Sequence, residues 1–192
     1  MGRDKALLEV DGRSLIERAV EALSPLAHRT LLATGESVRY ADLGLEPVLD
    51  RVPRGGPLAG LEAGLSAASG ADYVVALACD MPRVRASDLE LLLARAEERG
   101  DDVVLFGAGE LIEPLCAVYR ARCLAPVREA LERGERRMNS FWGLSCVDAG
   151  RERTLRVAEL PIEASTSADR TFVNVNTVAE LHELEAGTGG IG

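Results

Sequence analysis

Two residues in this chain have the type and position that phosphate chemistry needs. Asp80 follows directly on Tyr73 to Cys79, an apolar run, and is itself followed by Met81 and Pro82. Such a run reads as a strand buried on both faces, and an open parallel sheet takes its ligands just beyond the carboxyl ends of its strands. A carboxylate on that rim can hold Mg²⁺, which takes one or two carboxylates and fills its other positions with water and phosphate oxygens. The alternative is that Asp80 caps the turn or the next helix. Lys5, in Met1-Gly2-Arg3-Asp4-Lys5-Ala6-Leu7-Leu8, is the only lysine in a chain that otherwise uses arginine. A compact ammonium with three donors suits a phosphate whose charge grows during attack, and the alternative is a solvated surface lysine.

Three further segments can bind rather than react. Asp50 ends a short apolar run and opens Asp50-Arg51-Val52-Pro53-Arg54-Gly55-Gly56-Pro57-Leu58-Ala59-Gly60. Glycines let backbone approach a ligand closely, and the N-terminus of the helix that follows offers free N–H groups to an anion. Asp50 can accept hydrogen bonds from a base or a ribose; a plain surface loop is the alternative. In Phe172-Val173-Asn174-Val175-Asn176-Thr177, strand alternation puts Asn174 and Asn176 on one face, where two amides clamp a polar ligand. Capping of the last helix accounts for Asn176 or Thr177 but leaves Asn174 over. Gly134-Glu135-Arg136-Arg137 either presents guanidinium groups to a phosphate or forms an exposed charged turn.

The elements that must position these residues alternate. Helical spacing predicts helices over Leu15 to Leu26, with Ser14 and Glu17 as a capping box, and over Leu58 to Ser69, Ala86 to Arg99 (Ser87 a possible cap), Ala125 to Arg133 and Val178 to Glu185. Strands are predicted at Thr30 to Ala33, Leu45 to Leu49, Tyr73 to Cys79, Val103 to Phe106, Leu115 to Tyr119, Leu144 to Val147, Thr154 to Val157 and Thr171 to Val175. Strands alternating with helices of this length indicate an α/β fold with a mainly parallel sheet. No repeat or linker divides the chain, so residues 1–186 are expected to form one domain and 187–192 a flexible tail. The chain opens on a loop and a helix, where a doubly wound fold has a central strand.

Composition narrows the partners. The 192 residues suffice for a self-supporting core, and with aromatics at only 4% that core is built from Ala, Leu and Val. A net charge of −9 argues against nucleic acid as a partner, since phosphate backbones want a basic surface. Cys79, Cys116, Cys123 and Cys146 show no CxxC spacing and there are only two histidines, so reduced buried thiols are expected instead of a zinc site. No apolar run approaches the ~20 residues of a membrane span, and no signal region opens the chain; a cytoplasmic location is expected.

Taken together, the segments resemble the MobA-type molybdenum cofactor guanylyltransferases. Met1 to Leu8 is similar to the second half of that family's opening motif, Arg-Met-Gly-x-Asp-Lys-x-Leu-Leu. Gly55 to Gly60 resembles its Gly-Pro-Leu-Ala-Gly segment, Ala78 to Pro82 its metal-binding strand end, and Phe172 to Thr177 its Phe-Val-Asn-Val-Asn-Thr stretch; Gly134 to Arg137 followed by Phe141 also fits. The resemblance implies a Rossmann-like three-layer nucleotidyltransferase fold and transfer of GMP from GTP to the terminal phosphate of molybdopterin, with Mg²⁺ as cofactor and pyrophosphate released. Lys5 and Asp80 would then be catalytic, and Asp80 the metal ligand. Lys5, Asp50, Gly56, Pro57, Leu58 and Asp80 would bind the nucleotide, and Asn174, Asn176 and Arg136 the molybdopterin. Transient contact with molybdopterin-supplying and molybdoenzyme-maturation proteins is a further implication.

The family's opening motif starts earlier, with an apolar strand and Leu-Ala-Gly-Gly, and this part does not occur here. We therefore expect the natural protein to begin upstream of Met1, which its intact mass reads directly. Two other readings stay open. One is a cytidylyltransferase for the same cofactor, although such relatives carry Gly-Met-Ser-Ser-Ser-Leu where this chain has Gly56-Pro57-Leu58-Ala59-Gly60. The other is a non-catalytic homologue that lost its phosphate loop.

Overall fold

A computed structural model of the chain describes residues 4–108, 111–165, 175 and 180. In chain order the elements are strands β1 (Glu9–Val10) and β2 (Arg13–Ser14), helix α1 (Leu15–Leu23), β3 (Leu31–Ala33), β4 (Glu46–Val48), α2 (Gly56–Ala67), β5 (Tyr73–Leu77), α3 (Ala86–Arg99), β6 (Val103–Ala108), β7 (Leu111–Arg120), α4 (Leu124–Glu132), β8 (Ser145–Asp148), β9 (Arg151–Thr154) and β10 (Val157–Pro161). Strands β10, β6, β7 and β5 form one sheet in that order. β10 runs parallel to β6, while β7 is antiparallel to both β6 and β5. The sheet is thus mixed: three strands run one way and β7 runs against them, because β6 turns straight back into β7 as a hairpin with no crossover helix. β3 and β4 form a separate parallel pair.

Strand alternation sorts the side chains into two layers. Val103 and Leu105 point to one face and meet Ala117, Tyr119, Leu58 and Leu65 of α2 and Val127 and Leu131 of α4. Val104 and Phe106 point to the other, against Cys116, Val118, Leu89 and Leu92 of α3 and Ala22 of α1. With successive Cβ atoms on opposite faces, a strand apolar at every position must be covered on both sides, and the four helices do that. The result is the expected three-layer α/β architecture.

The ends of the elements follow local chemistry. Ser14 and Glu17 form the expected capping box on α1: Ser14 Oγ accepts from the Glu17 N–H at 3.3 Å, and Glu17 Oε2 accepts from the Ser14 N–H at 2.9 Å. At α3 the cap is two residues earlier than Ser87: the Arg85 N–H donates to Asp88 Oδ2 at 3.0 Å. The β1–β2 and β8–β9 hairpins turn on Asp11-Gly12 and Ala149-Gly150, all four with positive φ, the conformation a two-residue turn between twisted strands requires. The strand expected at Thr154 to Val157 is instead the end of β9 and the start of β10, divided by Leu155 and Arg156.

No described strand pairs with the edge of β5 that faces away from β7, nor with the edge of β3 that faces away from β4. A cavity of about 770 Å³ runs beside both strands and is lined at their carboxyl ends by Thr34, Gly35, Cys79 and Asp80. The expected tail, 187–192, lies outside the described residues. So does the expected last helix, apart from Glu180, which is helical.

Candidate active site at the strand ends

The cavity mouth collects the expected residues. Lys5, Asp50, Gly56, Pro57 and Asp80 all line it, together with Thr34, Arg39, Tyr40 and Met138. Lys5 and Asp80, 75 residues apart in sequence, are joined directly: Lys5 Nζ donates to Asp80 Oδ2 at 2.9 Å. Asp80 does not cap α3, which starts six residues later at Ala86.

Each side chain has a local reason for its position. Lys5 opens a single 3-10 turn, Lys5–Leu7, whose N-cap is Asp4; Asp4 Oδ1 accepts from the Ala6 N–H at 3.2 Å. The turn is pinned from below by Ala6, Leu8 and Val10, all buried. Asp80 leaves β5 on a loop fixed by the burial of Met81 and Val84 and by Arg18 of α1. The Arg18 guanidinium donates to the Pro82 and Val10 carbonyls, each at 3.1 Å, so one side chain ties the Asp80 loop to the segment after Lys5. The Val175 N–H donates to the Asp80 carbonyl at 2.8 Å, and Val175 is fully buried beside Leu8, Val10 and Leu15. Its neighbours Asn174 and Asn176 lie outside the described residues.

Asp80 Oδ1 is buried and has no hydrogen-bond partner among the described residues. A buried carboxylate oxygen without a partner costs about 1–3 kcal/mol or more, so it marks a place for a ligand. The same holds at the neighbouring strand ends, where Asp50 Oδ1 and Thr34 Oγ1 are both buried without partners. Backbone bonds lock these two strand ends together: the Thr34 N–H donates to the Val48 carbonyl at 3.2 Å and the Asp50 N–H to the Gly35 carbonyl at 2.8 Å. Burial pushes the Asp50 carboxyl above its ordinary range, and the nearby carboxylates of Glu36 and Glu62 add to the shift. Thr34 escaped the sequence reading; only its position, directly after a predicted strand and before Gly35, could have flagged it.

The glycine-rich loop delivers a helix N-terminus to the mouth. Gly56, with φ +64°, and Pro57 begin α2, and no side chain caps it, which leaves N–H groups of the first turn for a ligand. Leu58 contributes differently from Gly56 and Pro57: its side chain is fully buried in the core between α2 and the sheet, so its backbone N–H is what it can offer. The Gly134-to-Arg137 turn packs against this loop, the Arg136 carbonyl lying 3.7 Å from where a Gly56 Cβ would stand. The Arg136 guanidinium is turned to its own backbone surroundings, donating to the Glu135 carbonyl at 2.7 Å and the Leu131 carbonyl at 3.3 Å. In this conformation it closes off the end of α4 and does not line the cavity, because those carbonyls at a helix C-terminus attract a cation.

A single carboxylate such as Asp80 fits a hard divalent ion that brings phosphate and water as its other ligands. Among the described residues no three His, Cys, Asp or Glu side chains cluster to form an all-protein metal cage. Cys116, Cys123 and Cys146 are buried free thiols and Cys79 a half-buried one, and burial raises the pKa of each. No helix among the described residues is long and apolar enough to cross a membrane.

Residues 1–146 match the MobA-like NTP transferase domain. The chain is 37% identical over 169 residues to a probable molybdenum cofactor guanylyltransferase of Opitutus terrae, an alignment covering 85% of this chain and 79% of that one. It is 32% identical over 181 residues to the corresponding protein of Pelotomaculum thermopropionicum, covering 94% and 83%. Among solved structures, molybdopterin-guanine dinucleotide biosynthesis protein A from Archaeoglobus fulgidus superposes with a TM-score of 0.78 at 25% identity, covering 99% of this chain and 93% of that one. Fold and site thus define a nucleotidyltransferase. More narrowly, the chain belongs to the MobA-like NTP transferase family.

Proposed function

We propose that this protein transfers GMP from GTP to the terminal phosphate of molybdopterin, releasing pyrophosphate; the relatives it resembles are named molybdenum cofactor guanylyltransferases. The observation that carries this reading is the meeting of Lys5, Asp80, Asp50 and the α2 N-terminus at one cavity mouth. Asp50 and Thr34 accept hydrogen bonds from the base or ribose through their unpartnered oxygens. The backbone N–H groups that open α2 receive phosphate oxygens. Lys5 donates to the α-phosphate and offsets the charge that builds there as the attacking phosphate approaches. That nucleophile is already an anion, so no side chain has to remove a proton, and the rate comes from positioning and charge neutralisation. Asp80 would hold a divalent cation, Mg²⁺ in our reading, which when bound neutralises triphosphate charge. Asn174, Asn176 and Arg136 are assigned to the molybdopterin side, residues 1–186 to one domain, and the protein to the cytoplasm.

The test is pyrophosphate release with molybdopterin and either GTP or CTP, on this chain and on Asp80→Asn. GTP-dependent release that Asp80→Asn abolishes, with an unchanged circular dichroism spectrum, is the expected result. Preference for CTP would move the protein to the cytidylyl branch. Nucleotide binding without turnover would make it a non-catalytic homologue.

A further inference from the structure

We infer that Glu36 is a positioning residue for the nucleotide site, holding the glycine-rich loop at a fixed spacing from the strand ends that face the base. This rests on the reading above that Asp50 and Thr34 meet the base or ribose while the start of α2 meets the phosphates. It adds the side chain that sets the one against the other. Glu36 Oε1 accepts from the Arg54 N–H at 3.0 Å, a bond between residues 18 apart in sequence. Glu36 is exposed and does not line the cavity, so its part is to hold the loop and not to touch the nucleotide.

The loop needs holding. Arg54 has φ 54°, a left-handed conformation that costs a residue with a side chain and persists only where its surroundings fix it. Gly56, two residues on at φ +64°, opens α2, which no side chain caps. A carboxylate is a charged acceptor and binds a backbone N–H more strongly than a neutral group does. The turn after β3 makes the second connection as well: the Gly35 carbonyl accepts from the Asp50 N–H at 2.8 Å. Two successive residues, Gly35 and Glu36, therefore tie both ends of the segment from Asp50 to Arg54, and Thr34 with its unpartnered hydroxyl stands directly before them. A nucleotide that must meet both the strand ends and the start of α2 binds more tightly when their spacing is set beforehand, because ordering the loop on binding subtracts from affinity. The acceptor oxygen is what this role uses, not the charge: after burial, Glu36 is the next cause that pushes the Asp50 carboxyl up.

The experiment titrates GTP in the presence of Mg²⁺ into the full chain with the natural sequence, Glu36→Ala and Glu36→Gln, and follows exchange of the Arg54 amide hydrogen by NMR. Glu36→Ala is expected to bind GTP about fivefold more weakly, as loss of one hydrogen bond predicts, with an unchanged melting temperature. Its Arg54 amide should exchange about tenfold faster, the mark of a local opening and not of global unfolding. Glu36→Gln, which keeps the acceptor and removes the charge, is expected to bind GTP within about twofold of the natural protein and to keep the amide protected. Natural GTP affinity in Glu36→Ala, or equal weakening by both variants, overturns the inference. A natural chain that binds no GTP at all would instead overturn the reading of the function on which the inference rests, so the two failures are distinguishable.

Discussion

The hydroxyl of Tyr40 donates to Asp4 Oδ2 at 2.7 Å, so the residue that caps the Lys5 turn is also the anchor of the loop between β3 and β4. Arg39 pairs with the same carboxylate and lies 4.8 Å over the Tyr40 ring. Burial pushes the Asp4 carboxyl up, but hydrogen bonds from Tyr40 and Ala6 and the charge of Arg39 outweigh it and hold the group below its ordinary range. Burial and Asp4 together push Tyr40 up to about 12. At neutral pH the tyrosine is therefore the donor and the aspartate the acceptor. Tyr40 accepts a φ of 56° to reach this position, a conformation uncommon for a bulky residue.

Asp4→Ala should release both the cap and the loop. Loss of an N-cap costs about 1 kcal/mol, and a lysine no longer held should lower kcat/KM for GTP by about tenfold, equivalent to ~1.4 kcal/mol. Steady-state kinetics with GTP check this, and natural kinetics in the variant would show that Lys5 needs no clamp.

Gly55 has no room for a side chain. A Cβ there would stand 2.4 Å from the Ala59 Cβ and 2.9 Å from the Val52 carbonyl oxygen. Gly55→Ala should destabilise the protein by about 1–3 kcal/mol through overpacking and weaken GTP binding by moving the start of α2. Urea denaturation reads the first effect and a nucleotide titration the second.

Asp50 should trade stability for binding. A carboxyl whose folded pKa is raised costs the fold stability above that raised value, and the cost vanishes below its unfolded value near about 3.9. Asp50→Asn should therefore melt higher than the natural protein at neutral pH and alike at a pH of about 3, while binding GTP more weakly. A variant that melts lower at neutral pH would contradict the raised pKa, whose causes are burial, Glu36 and Glu62.

Far from the cavity, Asp102 holds the β8–β9 hairpin to the sheet. It is fully buried and accepts from Arg122, from Arg153 at 2.6 Å and from the Arg156 N–H at 2.8 Å. Burial alone would raise its pKa, yet the Arg156 N–H and the two arginines outweigh it and lower it. The stability it provides is then present above the unfolded value and lost as pH falls through the lower folded value. Asp102→Asn should cost about 3 kcal/mol at neutral pH, on the order of 10 °C in Tm. The deficit should shrink at a pH below about 3.9.

Much of this was legible in the sequence because the signals were local. The apolar run before Asp80, the glycines before Leu58 and the Ser14–Glu17 spacing each specify their own structure within one or two turns. What escaped depends on residues far apart. Whether β7 runs with or against β6 is a matter of how the chain returns, which no periodicity records. Thr34 and Asp4 acquire their roles only through Asp50 and Tyr40, and no composition or spacing marks a threonine whose hydroxyl will be left without a partner. That the Arg136 guanidinium meets the Leu131 and Glu135 carbonyls is likewise not readable from its charge or its place in the turn.

The cavity beside β3 and β5 places exposed amides deep inside a layered protein. Strands in the middle of a sheet usually exchange their amide hydrogens slowest, since every ladder bond must break first. Among the described residues no strand pairs with the edges of β3 and β5 that face the cavity, so deuterium should enter these strands sooner than β6 and β7. A segment lying in that cleft in an extended form would be gripped along both of its sides, by β3 on one and by β5 on the other.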